Sequence, residues 1–333
     1  MLFSVIIPAF NAEETIENTV NCILYAGLKD YEILIIDDGS TDGTGHMCDR
    51  LAAKHSGVKC IHKANSGVSS ARNTGVMNSK GDYIIFVDAD DYIEQDSLSN
   101  AVDIIEAQHP DMLIFGMYFD YYYRNSVYRS DSLVPPCSGM LTLEQVKMKF
   151  SELYAANALT PVWNKFFSRK VIIDNHVLFC ETMILFEDFM FTIETLEKCN
   201  KVYCLQEPIY HYRQSEDEKN AYRRLCRIGD LSEYLSPFSE QIESLGIANG
   251  KAFMSSLYKM LLNQHLYYSS YNEIHKLINQ HLSGEYSDVS IEKRPLVIYL
   301  QNKKSQLRHK IAVILKSLIH RIKRTPTKGL SYE

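Results

Sequence analysis

Three short apolar runs, each ending in or soon followed by polar side chains, constrain this chain more than any other feature. They are Ser4-Val5-Ile6-Ile7-Pro8, Glu32-Ile33-Leu34-Ile35-Ile36-Asp37-Asp38 and Tyr83-Ile84-Ile85-Phe86-Val87-Asp88. Such β-branched and aromatic runs read as strands buried on both faces, the habit of parallel sheets covered by helices. Further strands are expected at Val58–His62 and Met112–Met117, with the first from Leu2 to Pro8 and the second from Tyr31 to Asp37. Between them lie helical patterns over Ala12–Tyr25, Thr41–His55, Val68–Ser79 and Ser97–Gln108. This alternation predicts an α/β fold, a mostly parallel sheet with helices on both faces, whose ligands bind beyond the carboxyl ends of the strands.

A chain of 333 residues fits one large domain or two moderate ones. Its 46% apolar and 23% charged content is that of a soluble globular protein and excludes general disorder. The eight cysteines are scattered without a C-x-x-C pair, a pattern suited to reduced thiols in a cytosol. The opening MLFSVIIPAFN has no basic n-region, so no secretory leader is expected, and no window is apolar enough to span a membrane. Net charge is −6, but residues 301–333 carry +8 and the remaining body −14. An acidic body argues against a nucleic-acid channel, and a basic tail suits an anionic surface.

Downstream, the tyrosine-rich stretch Tyr118–Tyr128 predicts a hairpin and Pro135-Pro136 a loop. Residues 142–215 mix short helices and strands, clearest at Glu187–Cys199 and Val202–Tyr212. From about Asp217 the periodicity is helical, broken at Pro237, Gly246, Gly284 and Pro295, which places a boundary between 1–215 and a helical domain, 216–333. Within 303–324, Leu307, Ile311, Ile314, Leu315, Leu318 and Ile322 share one helical face, and basic residues gather away from it. That face suits either an anionic membrane interface or packing on preceding helices or a second copy of the chain.

The strand-end residues suggest chemistry of their own. If the Asp88 strand stays extended, Asp88 and Asp90 share a face about 7 Å apart, and their repulsion calls for a cation. Oxygen-only ligands favour Mg²⁺ or Mn²⁺; the alternative is a cap on the helix beginning near Asp96-Ser97. In DDGSTDGT, residues 37–44, Gly39 makes the turn and Ser40 or Thr41 offers an N-cap. One carboxylate there suits the N3 hydrogen of a uracil base; a simple turn and cap is the other reading. In NSGVSSARNTG, residues 65–75, Arg72 and nearby backbone amides suit a phosphate or ribose, or else Arg72 merely faces solvent.

In this order and spacing, SVIIPAFNAEETI, EILIIDDGSTDGT, NSGVSSARNTG and DYIIFVDADD resemble a family 2 glycosyltransferase of non-processive bacterial type. The resemblance is close over residues 3–118 and looser to about 215. It implies the GT-A fold, a nucleotide-diphosphate sugar donor and inversion at the anomeric carbon. It implies a nucleotide-binding half, 1–117, and an acceptor half, 118–215. Pro8, Phe10 and Glu14 would line the nucleotide site with Asn65, Arg72 and Ala89. Asp37 or Asp38 would face the base, Asp88 the ribose, and Asp90 a Mn²⁺ or Mg²⁺ ion, with Asp91 in support near the diphosphate. PVWNKFF resembles the family's W-N-K segment, which brings Trp163 and Lys165 toward donor or acceptor. LFEDFMF resembles its E-D motif, so Asp188 would be the base with Glu187 beside it; two acids at a helix start are the simpler reading. IYHYRQS resembles a segment contacting diphosphate or metal, which would make His211 a third metal-side ligand and Arg213 a phosphate clamp. His211 also suits a core histidine, and Gln214-Ser215-Glu216-Asp217 replaces the usual glycine-containing loop.

No Q-x-x-R-W segment follows, so one sugar per encounter is expected. The expectation is a metal-dependent transfer from a UDP-sugar to a glycan or lipid-linked glycan in cell-surface polysaccharide biosynthesis. The enzyme would be cytoplasmic, touching the inner membrane face through 303–324. A sugar-phosphate nucleotidyltransferase is the rival enzyme, but PAFNAEET lacks its glycine-rich loop with Arg and Lys. A membrane-docked scaffold without catalysis is the other rival.

Overall fold

The computed structural model describes residues 2–123, 126–214, 228, 231–247 and 249–268. The basic segment 303–324 and its expected surface contact lie outside the described residues.

The chain begins with β1 (Phe3–Ala9), α1 (Ile16–Leu24), β2 (Tyr31–Asp37), α2 (Thr44–Lys54), β3 (Val58–His62) and α3 (Val68–Asn78). It continues through β4 (Tyr83–Phe86), β5 (Tyr92–Ile93), α4 (Ser99–Gln108), β6 (Met112–Tyr123), β7 (Ser126–Leu133) and β8 (Gly139–Leu141). Then come α5 (Leu143–Met148), α6 (Phe150–Ala155), β9 (Lys165–Ser168), α7 (Arg169–Asp174), α8 (Glu187–Glu197) and β10 (Val202–Gln214). Two further helices are α9 (Leu231–Ser244) and α10 (Gly250–Tyr268). Residues 236–254 form one compact unit with the sheet, and described residues 228, 231–235 and 255–268 belong to a second.

The ten strands form one sheet with the order β3-β2-β1-β4-β9-β6-β10-β5; β7 adds to β6 and β8 to β10. Six of the eight strands in that order run the same way, and β9 and β5 run against them. This is the α/β, mostly parallel architecture expected. Register aligns the site: Ala9 pairs with Asp37, and Asp37 with His62, so the ends of β1, β2 and β3 lie level.

Several elements differ from expectation for local reasons. α1 starts at Ile16, not Ala12, because residues 11–13 are tied to the following β2–α2 turn: Thr41 N–H donates to Asn11 Oδ1 (2.8 Å) and Gly43 N–H to Glu13 Oε2 (2.9 Å). The expected caps Ser40 and Thr41 do not cap α2; Gly43 holds the N-cap position, and Asp42 Oδ1 accepts from Thr44 N–H at 3.0 Å. The tyrosine-rich hairpin is continuous with β6, which runs 12 residues and pairs with β7. β4 ends at Phe86, and Asp91 N–H donates to Asp88 O (3.1 Å), closing a turn. Strand alternation therefore does not set where Asp88 and Asp90 point.

Beneath α3 and α8, Phe86, Phe167, Phe179 and Phe191 form a cluster of edge-on contacts, with Phe179 and Phe191 stacked at 4.0 Å. A second cluster joins Phe150, Tyr154, Phe189, Phe238 and Phe253, anchoring α8 from its other side. Such rings contribute area and geometry together, so the orientation of α8 is well determined.

α3 lies close on β1 because residue 75 is glycine: a Cβ there would meet Ile6 Cγ2 at 2.3 Å. Ile6 is fully buried and β-branched, with little freedom to yield. Gly75→Ala should therefore lower stability by about 1–3 kcal/mol, the cost of overpacking. Urea denaturation measures this, and an unchanged midpoint would show that α3 shifts freely on β1.

Candidate active site

The first part of the site is the loop cluster beyond β1, β2 and β3. Asp37 is buried and accepts from Ser40 N–H (3.0 Å) and from His62 Nδ1 (2.8 Å). Burial works to raise its pKa, but these bonds prevail and hold it below the usual value. The same contacts, with Asp49 on the other ring nitrogen, push His62 up to about 9. Asp38 is also buried; its carboxylate accepts from Gly67 N–H (2.7 Å), Ser66 N–H (3.0 Å) and Lys63 Nζ (2.6 Å). Gly39 is required here, since it has φ +71 and a Cβ would lie 2.7 Å from Asn65 N. Asp38 thus organises the loop that starts α3, and Asp37 ties the β2–α2 turn to the end of β3. Phe10 and Glu14 are exposed on the neighbouring β1–α1 loop, and Pro8 pairs with Ile36 within the sheet.

The second part centres on Arg72. It is 3% exposed, and its guanidinium donates through Nη2 to Asp88 Oδ1 (2.9 Å) and through Nη1 to Asp188 Oδ1 (2.5 Å). Its Cζ lies 5.4 Å from the centre of the Phe179 ring. Burial alone would lower the Arg72 pKa, but the charges of Asp188, Asp88 and Glu187 outweigh it and raise the value. Arg72 is therefore a clamp between carboxylates. Its fork is already taken by Asp88 and Asp188.

Asp188 lies in the first turn of α8, which Phe186 enters with φ 64, an unusual angle for a bulky residue. The Phe186 ring packs edge-on against Phe238 at 5.9 Å, which supports that entry. Asp188 retains 21% side-chain exposure. Burial is the largest influence on its carboxyl; the negative charges of Glu187 and Asp88 add to it, Arg72 and Lys165 oppose it, and the pKa rises to about 7.

The third part is the Asp88–Asp91 turn. Asp91 is almost fully buried and accepts from Tyr210 OH (2.7 Å) and Arg213 N–H (2.7 Å). Tyr210 OH in turn accepts from Asp88 N–H at 3.0 Å, so one phenol braces both ends of the turn. Thr19 adds a second brace, donating to Ala89 O (3.0 Å) and Asp91 O (2.8 Å). Trp163 stacks on Tyr210 at 4.4 Å and on Tyr212 at 5.2 Å, and Arg213 lies over the Tyr122 ring at 4.1 Å. Asp90 opens to solvent at the turn, yet its dense surroundings and the Asp88 charge push its carboxyl upward.

Two expected residues sit elsewhere. Lys165 is fully buried, with Nζ donating to Pro161 O (2.5 Å) and Asn164 Oδ1 (2.6 Å). It is closed off from solvent although its charge acts on Asp188, and burial drives its pKa well down. His211 is a neighbour of Tyr210 and Tyr212 along β10, so alternation turns it to the opposite face. There it is stacked between Tyr92 (4.2 Å) and Tyr118 (4.4 Å), its Nδ1 faces Asp120 Oδ2 at 2.8 Å, and its Nε2 lies 3.3 Å from Glu94 Oε1. His211 thus faces Asp120 and Glu94, and Lys165 faces Pro161 and Asn164. Tyr210 is the residue the sequence reading passed over. Its signal was present: Tyr210 and Tyr212 alternate with the two residues chosen instead.

The sequence matches Glycosyl transferase family 2 over residues 4–172. It is 30% identical over 217 residues to the glycosyltransferase EpsJ of Bacillus subtilis, covering 64% of this chain and 61% of that protein. It is 27% identical to the cholesterol galactosyltransferase of Borreliella burgdorferi, over 82% of this chain and 75% of that one. The fold resembles crystalline Staphylococcus aureus TarS 1-349 in complex with UDP-GlcNAc, with TM-score 0.61 and 21% identity, over 89% of this chain and 83% of that one. The chain belongs to glycosyl transferase family 2 and has the GT-A fold, and it spans about three fifths of the length of EpsJ.

The raised Asp188 carboxyl has a consequence for stability. The group ionises near 3.8 in an unfolded chain and at about 7 in the fold. Between these values the folded state keeps a proton that the unfolded state has released. Its contribution to stability therefore falls as pH rises through that window and is level above it. Urea unfolding of the wild type and Asp188→Asn across the window should show the difference, wild type minus variant, declining with pH. A flat or rising difference would overturn the raised value.

Proposed function

We propose that this chain is an inverting, metal-dependent glycosyltransferase that moves one sugar from a UDP-sugar to a glycan or lipid-linked glycan, with Asp188 as general base. The observation that carries the reading is the Asp188 carboxyl, partly exposed, held through one oxygen by Arg72 and raised to about 7. A base poised near neutrality removes a proton efficiently as the acceptor hydroxyl attacks. In the transfer the acceptor oxygen bonds to the anomeric carbon, its proton passes to Asp188, and the bond to the diphosphate breaks with its electron pair leaving on the diphosphate. Arg72 keeps Asp188 and Asp88 at a set separation, and Tyr210 with Asp91 keeps the Asp88–Asp91 turn from moving.

For the donor, the likeness to TarS in complex with UDP-GlcNAc supports a UDP-sugar. Likeness to the Staphylococcus aureus poly(ribitol-phosphate) β-N-acetylglucosaminyltransferase TarS, 25% identical over 82% of this chain and 45% of that protein, supports a polymeric acceptor. Phe10, Glu14, Asn65 and the ordered 37–44 turn stand where strand ends meet, the usual place for a nucleotide in such sheets.

The carboxylates fit a divalent cation: Asp88 and Asp90 are oxygen ligands, and burial together with the Asp88 charge raises the Asp90 pKa. Mg²⁺ or Mn²⁺ held by Asp90 with Asp88 would supply charge stabilisation for the departing diphosphate.

Asp188→Asn keeps the shape of the residue but cannot take the proton. Binding of UDP-sugar should survive while transfer falls by roughly 10²–10⁴. Calorimetric donor titration beside a transfer assay checks this, and near-normal transfer would leave Asp188 a helix-start residue only. Asp90→Asn should cut turnover about a hundredfold or more, on the order of 3 kcal/mol in barrier. Assays of released UDP over a panel of UDP-sugars should show inhibition by EDTA and recovery with Mn²⁺. Full activity in EDTA would end the metal assignment.

A further inference from the structure

We propose that Asp49, Cys60 and His62 form a binding site for a divalent transition metal of zinc-like preference, separate from the carboxylates of the transfer site. Cys60 and His62 are two apart on β3 and so share a face, and Asp49 reaches them from α2, which packs on that strand. Their ligand atoms all lie within 4.8 Å of one another. His62 Nε2 is 3.5 Å from Cys60 Sγ and 3.1 Å from Asp49 Oδ1. A tetrahedral zinc ion with bonds of about 2.3 Å to sulfur and about 2.0–2.1 Å to nitrogen and oxygen needs edges of roughly 3.6 and 3.3 Å. The two measured edges match these to within a few tenths of an ångström. Asp49 is exposed and free to swing the remaining distance toward Cys60.

The support for the ring is that of a metal site. His62 Nδ1 faces Asp37 Oδ2 at 2.8 Å, and a carboxylate there holds the proton on Nδ1. Without a metal the second ring nitrogen carries a proton shared with Asp49, and a metal ion would bind Nε2 by displacing that proton. Cys48, buried on α2, lies beside the Cys60 sulfur. Asp49 and His62 are open enough to admit the ion from solvent, with water completing the shell. The donor set of sulfur, imidazole and carboxylate suits zinc and disfavours Mg²⁺, which selects against confusion with the Asp90 site. The alternative occupant is a second proton on His62, bridging Asp37 and Asp49.

The site is tested by titrating Co²⁺ into the full reduced chain without nucleotide. One equivalent should bind with a near-ultraviolet thiolate-to-cobalt charge-transfer band that Zn²⁺ abolishes by displacement. The band should vanish in Cys60→Ser and His62→Gln and persist in Asp90→Asn. Asp49→Asn changes only an exposed side chain, and it should weaken affinity at least tenfold. Thermal unfolding should shift upward with Zn²⁺ in the wild type and not in Cys60→Ser. Absence of the band, a titration that never saturates, or a band that survives in Cys60→Ser would overturn the proposal. If Cys60→Ser fails to fold, unchanged affinity in Asp49→Asn would overturn it equally.

Discussion

The buried guanidinium of Arg72 is the interaction on which the site depends. Its two carboxylate partners come from 16 and 116 residues further along the chain, so one side chain joins α3, the Asp88–Asp91 turn and α8. A charge this deeply placed is tolerated only when paired, and removing one partner of such a group typically costs about 3–5 kcal/mol. The converse is also true. Asp88 and Asp188 can approach each other only because Arg72 stands between them, and without it their repulsion would separate the loops.

Everything around this contact limits movement. On one side the Phe86, Phe167, Phe179 and Phe191 cluster supports the guanidinium through Phe179. On another, Tyr210 and Thr19 brace the acidic turn, and Trp163 stacks behind Tyr210. Asp38 gathers the amides that lead into α3, which sets where Arg72 begins its reach. Carboxylates thus have two roles here: Asp38 and Asp91 are enclosed and hydrogen-bonded, whereas Asp90 and Asp188 retain exposure. The first pair builds the frame, and the second is available for chemistry.

The same logic explains Lys165 and His211. Lys165 follows Asn164 into β9, a strand with neighbours on both sides, and its amine finds acceptors only in Pro161 O and Asn164 Oδ1. His211 stands between two tyrosine rings on the far face of β10 because the strand period is two. A motif names neighbours in sequence. It does not say which of them share a face.

What the sequence determined by itself was the set of elements and the level at which they end. The β-branched runs form β1, β2 and β4, helices fill the gaps, and the polar residues gather past the strand ends, because local periodicity and burial on both faces are written into residue types. β2 and β3 fall where periodicity put them. Four motifs in register were also enough to show the family. Only the tertiary structure decided what those polar residues touch. The Arg72 clamp reaches a partner 116 residues further along the chain, and no local pattern encodes such a pairing. The turn at Asp88–Asp91 replaces the strand alternation that the sequence implied, since backbone geometry past Phe86 depends on Tyr210 and Thr19 from distant elements. The Asp188 pKa likewise arises from burial and from the summed charges of Glu187, Asp88, Arg72 and Lys165, groups that only folding brings together.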